Sequence, residues 1–141
     1  MLSTFFGLYR RHLFYGTAFI LAVLCALLLG GILLFYPQRQ PDLPSPSKKY
    51  LITATVDEGT STVKLHLKDA KGQSISSLRT RASDVMKWAL GWMPDSDTIV
   101  LYSADAGTLA YTIAPTGKIT ATKITTPIDL RARELKKEKY Q

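Results

Sequence analysis

The sequence predicts a mainly β protein with an N-terminal single transmembrane helix, a small antiparallel β meander or sandwich of six to seven strands, and a short C-terminal helix. Three observations predict it. Residues 13–36 carry no charged side chain, and residues 50–126 alternate apolar and polar side chains between turn residues. Residues 127–141 follow a helix-start signal. A chain of 141 residues holds one modest domain, which excludes a large multidomain enzyme.

Residues 13–36 are the predicted transmembrane helix. At about 1.5 Å per residue they reach roughly 36 Å, enough to cross a hydrocarbon core of about 30 Å. Arg10 and Arg11 precede this stretch, and Pro37 follows it. The run is longer than the apolar region of a cleaved signal peptide and ends in large rather than small residues, which favours a retained anchor.

The basic residues beside this helix predict its orientation. Arg10 and Arg11 lie close to its first residue, whereas only Arg39 lies close to its last. Because basic residues favour the cytoplasmic side, we expect the tail of residues 1–12 in the cytoplasm and the C-terminal portion outside it, in the periplasm if the cell is bacterial. The single cysteine, Cys25, lies within the predicted span, so no disulfide within the chain can form.

Small residues recur every fourth position of the predicted span, at Ala18, Ala22, Ala26 and Gly30. This spacing places them on one helix face, where two backbones can approach closely. Either the stripe is a helix–helix contact through which the chain forms a homo-oligomer, or it reflects how common Ala and Gly are in membrane helices.

Residues 37–49 contain four prolines and predict an extended linker that separates the anchor from the β domain of residues 50–126. Within that domain, Met86, Trp88, Leu90 and Trp92 share one face of a predicted strand. Two tryptophans on an apolar face are more typical of a core than of a ligand platform.

The β domain contains an internal repeat. The pattern Asp-x-Gly-Thr at residues 57–60 returns at residues 105–108, each time between two strands and followed by a second turn with glycine. Residues 50–125 resemble two imperfect blade repeats of TolB-like and WD-type β-propellers, and residues 92–103 are similar to the strand-turn-strand signature of such a blade. Two blades cannot close a ring, so the repeats must cover their apolar faces by packing on each other or by pairing with another chain.

The C-terminal tail, residues 127–141, predicts a helix that begins after Thr126 as N-cap and Pro127 at its first position. Its large apolar side chains are few, which predicts a mostly solvated helix. The basic side chains near its C-terminal end suit the helix dipole.

The sequence offers no catalytic constellation. Its histidines are His12, at the predicted membrane boundary, and His66, which we expect on a solvated strand face. Three aspartates fall in adjacent predicted loops, where turn formation explains them better than calcium binding does: Asp95, Asp97 and Asp105. We therefore predict no catalytic residue, no metal ligand and no cofactor.

The predicted function is that of a non-enzymatic, single-pass membrane protein whose extracytoplasmic β domain scaffolds or recruits another envelope protein. Its expected partners are the lipid bilayer and a protein of the membrane or envelope. Nucleic acid is not expected, because the net charge of +7 is spread along the chain rather than focused in a stripe. The alternative is a membrane-anchored sensory or small-ligand-binding module.

Overall fold

A computed structural model describes residues 40–141, which belong to the compact unit Gln38–Gln141. In this part of the chain, no helix has the length and apolar character needed to cross a membrane. The predicted span of residues 13–36 and its stripe, from Ala18 to Gly30, lie outside the described residues.

The described residues form eight strands and one helix. The strands are β1 (Leu43–Pro44), β2 (Tyr50–Asp57), β3 (Thr62–Asp69), β4 (Ser74–Ser83), β5 (Trp88–Trp92), β6 (Ile99–Ser103), β7 (Gly107–Ile113) and β8 (Ile119–Ala121), and the helix is α1 (Thr126–Tyr140).

The strands make two antiparallel sheets of four, ordered β1-β2-β3-β4 and β5-β6-β7-β8. Strands that follow one another in the chain are neighbours in each sheet, because short turns connect antiparallel strands whereas parallel strands need long crossovers. The prediction of a mainly β, antiparallel unit with a short C-terminal helix is confirmed. The strand count differs, since eight strands are present rather than six or seven.

The additional strand comes from the segment predicted as a linker. Leu43 pairs with Ile52 in the first sheet, and the Ser47 hydroxyl donates a hydrogen bond to a carboxylate oxygen of Asp97 in the β5–β6 turn. Proline is tolerated on an edge strand, since it lacks only a donor that such a strand need not use. The folded unit therefore begins well before residue 50.

The internal repeat corresponds to the strand-turn-strand units β2–β3 and β6–β7. Asp57 ends β2, and Asp105 lies in the turn after β6. Gly107 opens β7 with a φ of 75°, a conformation that side chains other than glycine rarely adopt.

The two sheets share one apolar core. Alternate residues of the strands contribute to it because successive side chains point to opposite faces, and its fully buried members include Ile52, Leu65 and Leu67 from the first sheet and Ile99 and Leu101 from the second. Trp92 is buried in this core and Trp88 packs against it, as predicted. The placement of Met86 with them was wrong: β5 begins at Trp88, and Met86 is 49% exposed in the preceding turn.

The helix α1 covers the other face of the second sheet. Ile128, Ala132 and Leu135 are buried against Ala89, Val100 and Ala110 of that sheet. Most residues of α1 are exposed, as predicted. The small Ala132 nevertheless completes an apolar stripe that the large side chains alone do not reveal, and the helix docks on the sheet through that stripe. The N-cap is Thr125 rather than Thr126.

Candidate protein-interaction groove

Strand β4 forms one edge of the first sheet. It is ten residues long and pairs only with β3 among the described strands. An edge strand presents backbone N–H and C=O groups that a further extended chain can pair with.

A bulge interrupts the β3–β4 ladder. The register shifts between Thr62 and Lys64, so that residues 80–82 lie opposite Val63 alone. The Thr80 hydroxyl compensates by donating to the Val63 carbonyl at 2.7 Å. Bulges of this kind occur often at sheet edges and beside binding sites, where they redirect side chains.

Two hydrogen bonds join β4 to the second sheet. Near the beginning of β4, the Ser76 hydroxyl donates to the Gly117 carbonyl at 2.7 Å. At the end of β4, the Ser83 backbone N–H donates to a carboxylate oxygen of Asp105 at 3.0 Å. The hydrogen bonds from Ser103 and Ser83 hold the pKa of the Asp105 carboxyl below its usual value.

Between these two links the sheets leave an edge groove of about 410 Å³. Its walls are the edge of β4 and the segments around β7 and β8, and its lining comprises Leu78, Arg79, Thr80, Arg81, Leu109, Ala110, Tyr111, Ala121, Thr122 and Ile124. Ile124 is 42% exposed and contributes apolar surface to this groove.

Two arginines of β4, Arg79 and Arg81, line the edge groove. Arg79 pairs with Asp57 at 2.7 Å. Arg81 is exposed and makes no salt bridge within residues 40–141. Tyr111 lines the floor, and burial raises the pKa of its hydroxyl.

The edge strand β5 of the second sheet is less accessible than β4. The Trp92 indole N–H donates to the Leu43 carbonyl at 2.9 Å, which links β5 to β1. The Tyr140 hydroxyl bonds both backbone groups of Trp88, and Arg131 donates to the Trp92 carbonyl at 3.2 Å. Side chains of α1 thus occupy backbone groups of the β5 edge, so the β4 edge is the more accessible one.

The other residues considered from sequence do not converge on a site. His66 is half-buried rather than solvated, and its Nε2 lies 2.8 Å from the Thr55 hydroxyl. Burial lowers the pKa of His66, and the neighbouring lysines Lys64 and Lys68 lower it further.

The loop aspartates Asp97 and Asp105 bind different partners. Asp97 binds Ser47 and Asp105 binds Ser83 and Ser103, so both carboxylates stabilise loops. Across residues 40–141 no three His, Cys, Asp or Glu side chains come together in a way that could hold a metal ion.

Sequence reasoning did not find the edge groove. One signal was available: the stretch Leu78-Arg79-Thr80-Arg81-Ala82 alternates with a period of two, which marks a strand beyond Leu78 with arginines on one face. No local sequence pattern predicts that this strand lies close to residues 109–124, because that proximity arises from the packing of the two sheets.

Comparisons with protein-family models, with curated proteins and with solved structures find no match for this chain.

Proposed function

We propose that this protein is a non-enzymatic, membrane-anchored recruitment or scaffolding protein, and that the edge groove beside β4 accepts an extended segment of an envelope protein. The observation that carries the proposal is that the accessible edge of β4 borders a groove lined by apolar side chains, among them Leu78, Tyr111 and Ile124. Backbone pairing supplies affinity in this mode of recognition, and pockets for alternate side chains supply selectivity.

The dimensions of the edge groove suit such a segment. The two links that bound it, at Ser76 and Ser83, are seven residues apart on β4. At about 3.3 Å per residue this corresponds to on the order of 20 Å, the length of about six extended residues.

The character of the lining favours binding over chemistry. Leu78, Tyr111 and Ile124 offer apolar contact, and the Thr80 hydroxyl is already engaged with the Val63 carbonyl. The guanidinium groups on the β4 wall offer several N–H donors and no acceptor, so they are suited to ion pairing rather than to proton transfer.

The test is photocrosslinking in native membranes. A photoreactive amino acid replaces Thr122, which lines the edge groove, and Ala121→Trp is the blocking variant because Ala121 is exposed and lies at the same wall. Lys137→Trp places the same indole side chain at an exposed position of α1 and serves as the control.

We expect one defined protein adduct that Ala121→Trp abolishes and Lys137→Trp preserves. An adduct that survives Ala121→Trp would contradict the proposal, as would the absence of any adduct. Saturable binding of a small solute by the full-length protein, lost in Ala121→Trp, would favour the ligand-binding alternative instead.

A further inference from the structure

We propose that the segment bound in the edge groove is acidic, with carboxylate side chains at alternate positions and apolar side chains between them. This inference rests on the proposed function and adds the chemistry of the partner. It follows from the charges on the two rims of the edge groove and from the spacing of those charges.

The β4 rim presents two cations at strand spacing. Arg79 and Arg81 are both exposed and lie two residues apart, which corresponds to roughly 6.6 Å along an extended chain. Alternate side chains of an incoming strand have the same spacing, so two carboxylates on one of its faces can meet both guanidinium groups. A guanidinium group binds a carboxylate through two parallel hydrogen bonds.

The opposite rim adds a third cation. Lys123 directly follows Thr122 of the lining and is exposed, and like Arg81 it makes no salt bridge in the described part of the chain. The only carboxylate paired with these three cations there is that of Asp57, which binds Arg79. The rims therefore carry a net positive charge that an acidic segment would complement.

The same features disfavour a second copy of this chain as the occupant. An antiparallel pairing of β4 with β4 would bring Arg79 and Arg81 of one copy near those of the other, and like charges across a strand pair are destabilising.

The experiment measures the binding of defined peptides to the full-length protein in detergent. The probes are fluorescein-labelled six-residue peptides that alternate Glu and Val, Gln and Val, or Lys and Val. A fourth probe is the Glu-Val peptide with alternate backbone nitrogens methylated, which blocks strand pairing and leaves the charge unchanged. The variants are Arg81→Gln and Lys123→Gln, with Lys137→Gln as the control.

We expect the Glu-Val peptide to bind at least about tenfold more tightly than the Gln-Val peptide at low salt, with the difference shrinking as salt screens the charges. Arg81→Gln and Lys123→Gln should each weaken Glu-Val binding by up to about fivefold, the upper limit for exposed ion pairs. They should leave Gln-Val binding unchanged, and Lys137→Gln should change neither. Methylation should abolish binding.

Other outcomes separate the two proposals. Equal binding of the Glu-Val and Gln-Val peptides, with methylation still abolishing it, would overturn the acidic partner and leave strand acceptance standing. Failure of every peptide to bind, or binding that methylation does not affect, would overturn both. Preference for the Lys-Val peptide, or displacement of peptide by self-association of the protein, would overturn the acidic partner.

Discussion

Gly91 lacks a side chain at the point where β5 contacts the helix α1. A Cβ atom built on Gly91 would lie 2.5 Å from Cδ2 of Leu135, whose side chain is buried at 5% exposure. The close approach of α1 to β5 thus depends on glycine at this point. Gly91→Ala should force the buried leucine out of place and lower the free energy of unfolding by about 1–3 kcal/mol, as overpacking does. Urea denaturation measures this change in the free energy of unfolding.

A double-mutant cycle tests the assigned cause. Leu135→Ala alone should cost about 2–5 kcal/mol through the lost burial and the remaining cavity. In that background the further cost of Gly91→Ala should nearly vanish, because the atoms that clash are gone. A cost of Gly91→Ala that is the same in both backgrounds would show that the leucine is not the obstacle.

Asp105 makes the stability of the fold depend on pH. Its hydrogen bond from Ser103, together with that from the Ser83 backbone, holds the pKa of Asp105 below the ordinary 3.8. A carboxyl whose pKa is lower in the folded state stabilises the fold above its unfolded pKa, and this stabilisation disappears as the pH falls through the folded pKa. The carboxyls of Asp57 and Asp129 act in the same direction.

The prediction concerns the slope of stability against pH. Asp105→Asn should lower the melting temperature at pH 7 and should reduce the further loss as the pH falls below the ordinary aspartate pKa of 3.8, because one titrating group is removed. Thermal unfolding monitored by circular dichroism at a series of pH values measures this. Equal slopes for the variant and the parent would contradict the assignment. Asp95→Asn is the control, since Asp95 is exposed in a turn.

At the scale of elements, the contacts between the end of α1 and the start of β5 protect a strand edge. The Tyr140 hydroxyl accepts a hydrogen bond from the Trp88 N–H at 2.9 Å and donates one to the Trp88 carbonyl at 2.7 Å. Lys139 lies over the Trp88 ring, 4.0 Å from its centroid, and burial lowers the pKa of this lysine. An edge covered in this way is less able to pair with another chain.

Tyr140→Phe should open this edge locally. The Trp88 amide loses its acceptor, so its hydrogen exchange should become faster, while the amides of the central strand β6 should exchange at unchanged rates. The loss in global stability should be small, about 1 kcal/mol, because the site is near the surface. Hydrogen exchange followed by NMR or mass spectrometry would measure both effects. Unchanged exchange at Trp88 would refute the role given to Tyr140.

The elements also show what sequence patterns can predict. The alternation in β2 and β3 reports one buried face directly, so these strands and their turns were predictable from local residues. The docking of α1 was not, because its apolar stripe uses Ala132, a residue that hydropathy alone does not distinguish from a solvated one. Strand β1 was hidden by Pro44 and by the prolines of the flanking segment, because a proline in a strand is tolerated at an edge position that only the structure reveals.

At the scale of the described unit, the edge groove arises from long-range packing. Its two boundary links join Ser76 to Gly117 and Ser83 to Asp105, residues that are far apart in the chain. Local periodicity contains no information about which strand edges come together, since that depends on how the two meanders pack on a shared core. The accessible edge itself was expected of any small sheet, whereas its position beside β7 and β8 required the structure.

The last prediction concerns the whole chain and its predicted anchor at residues 13–36. Cys25 is the only cysteine, so a Cys25→Ser background allows single reporter cysteines to be placed on either side. Because Arg10 and Arg11 favour a cytoplasmic N-terminus, Lys137→Cys should react with a membrane-impermeant maleimide before cell lysis. Ser3→Cys should react only afterwards. Both proteins should stay with the membranes in alkaline carbonate, since an apolar stretch of this length is held by the bilayer itself. The reverse labelling pattern would place the edge groove in the cytoplasm and remove envelope proteins outside the membrane as its partners.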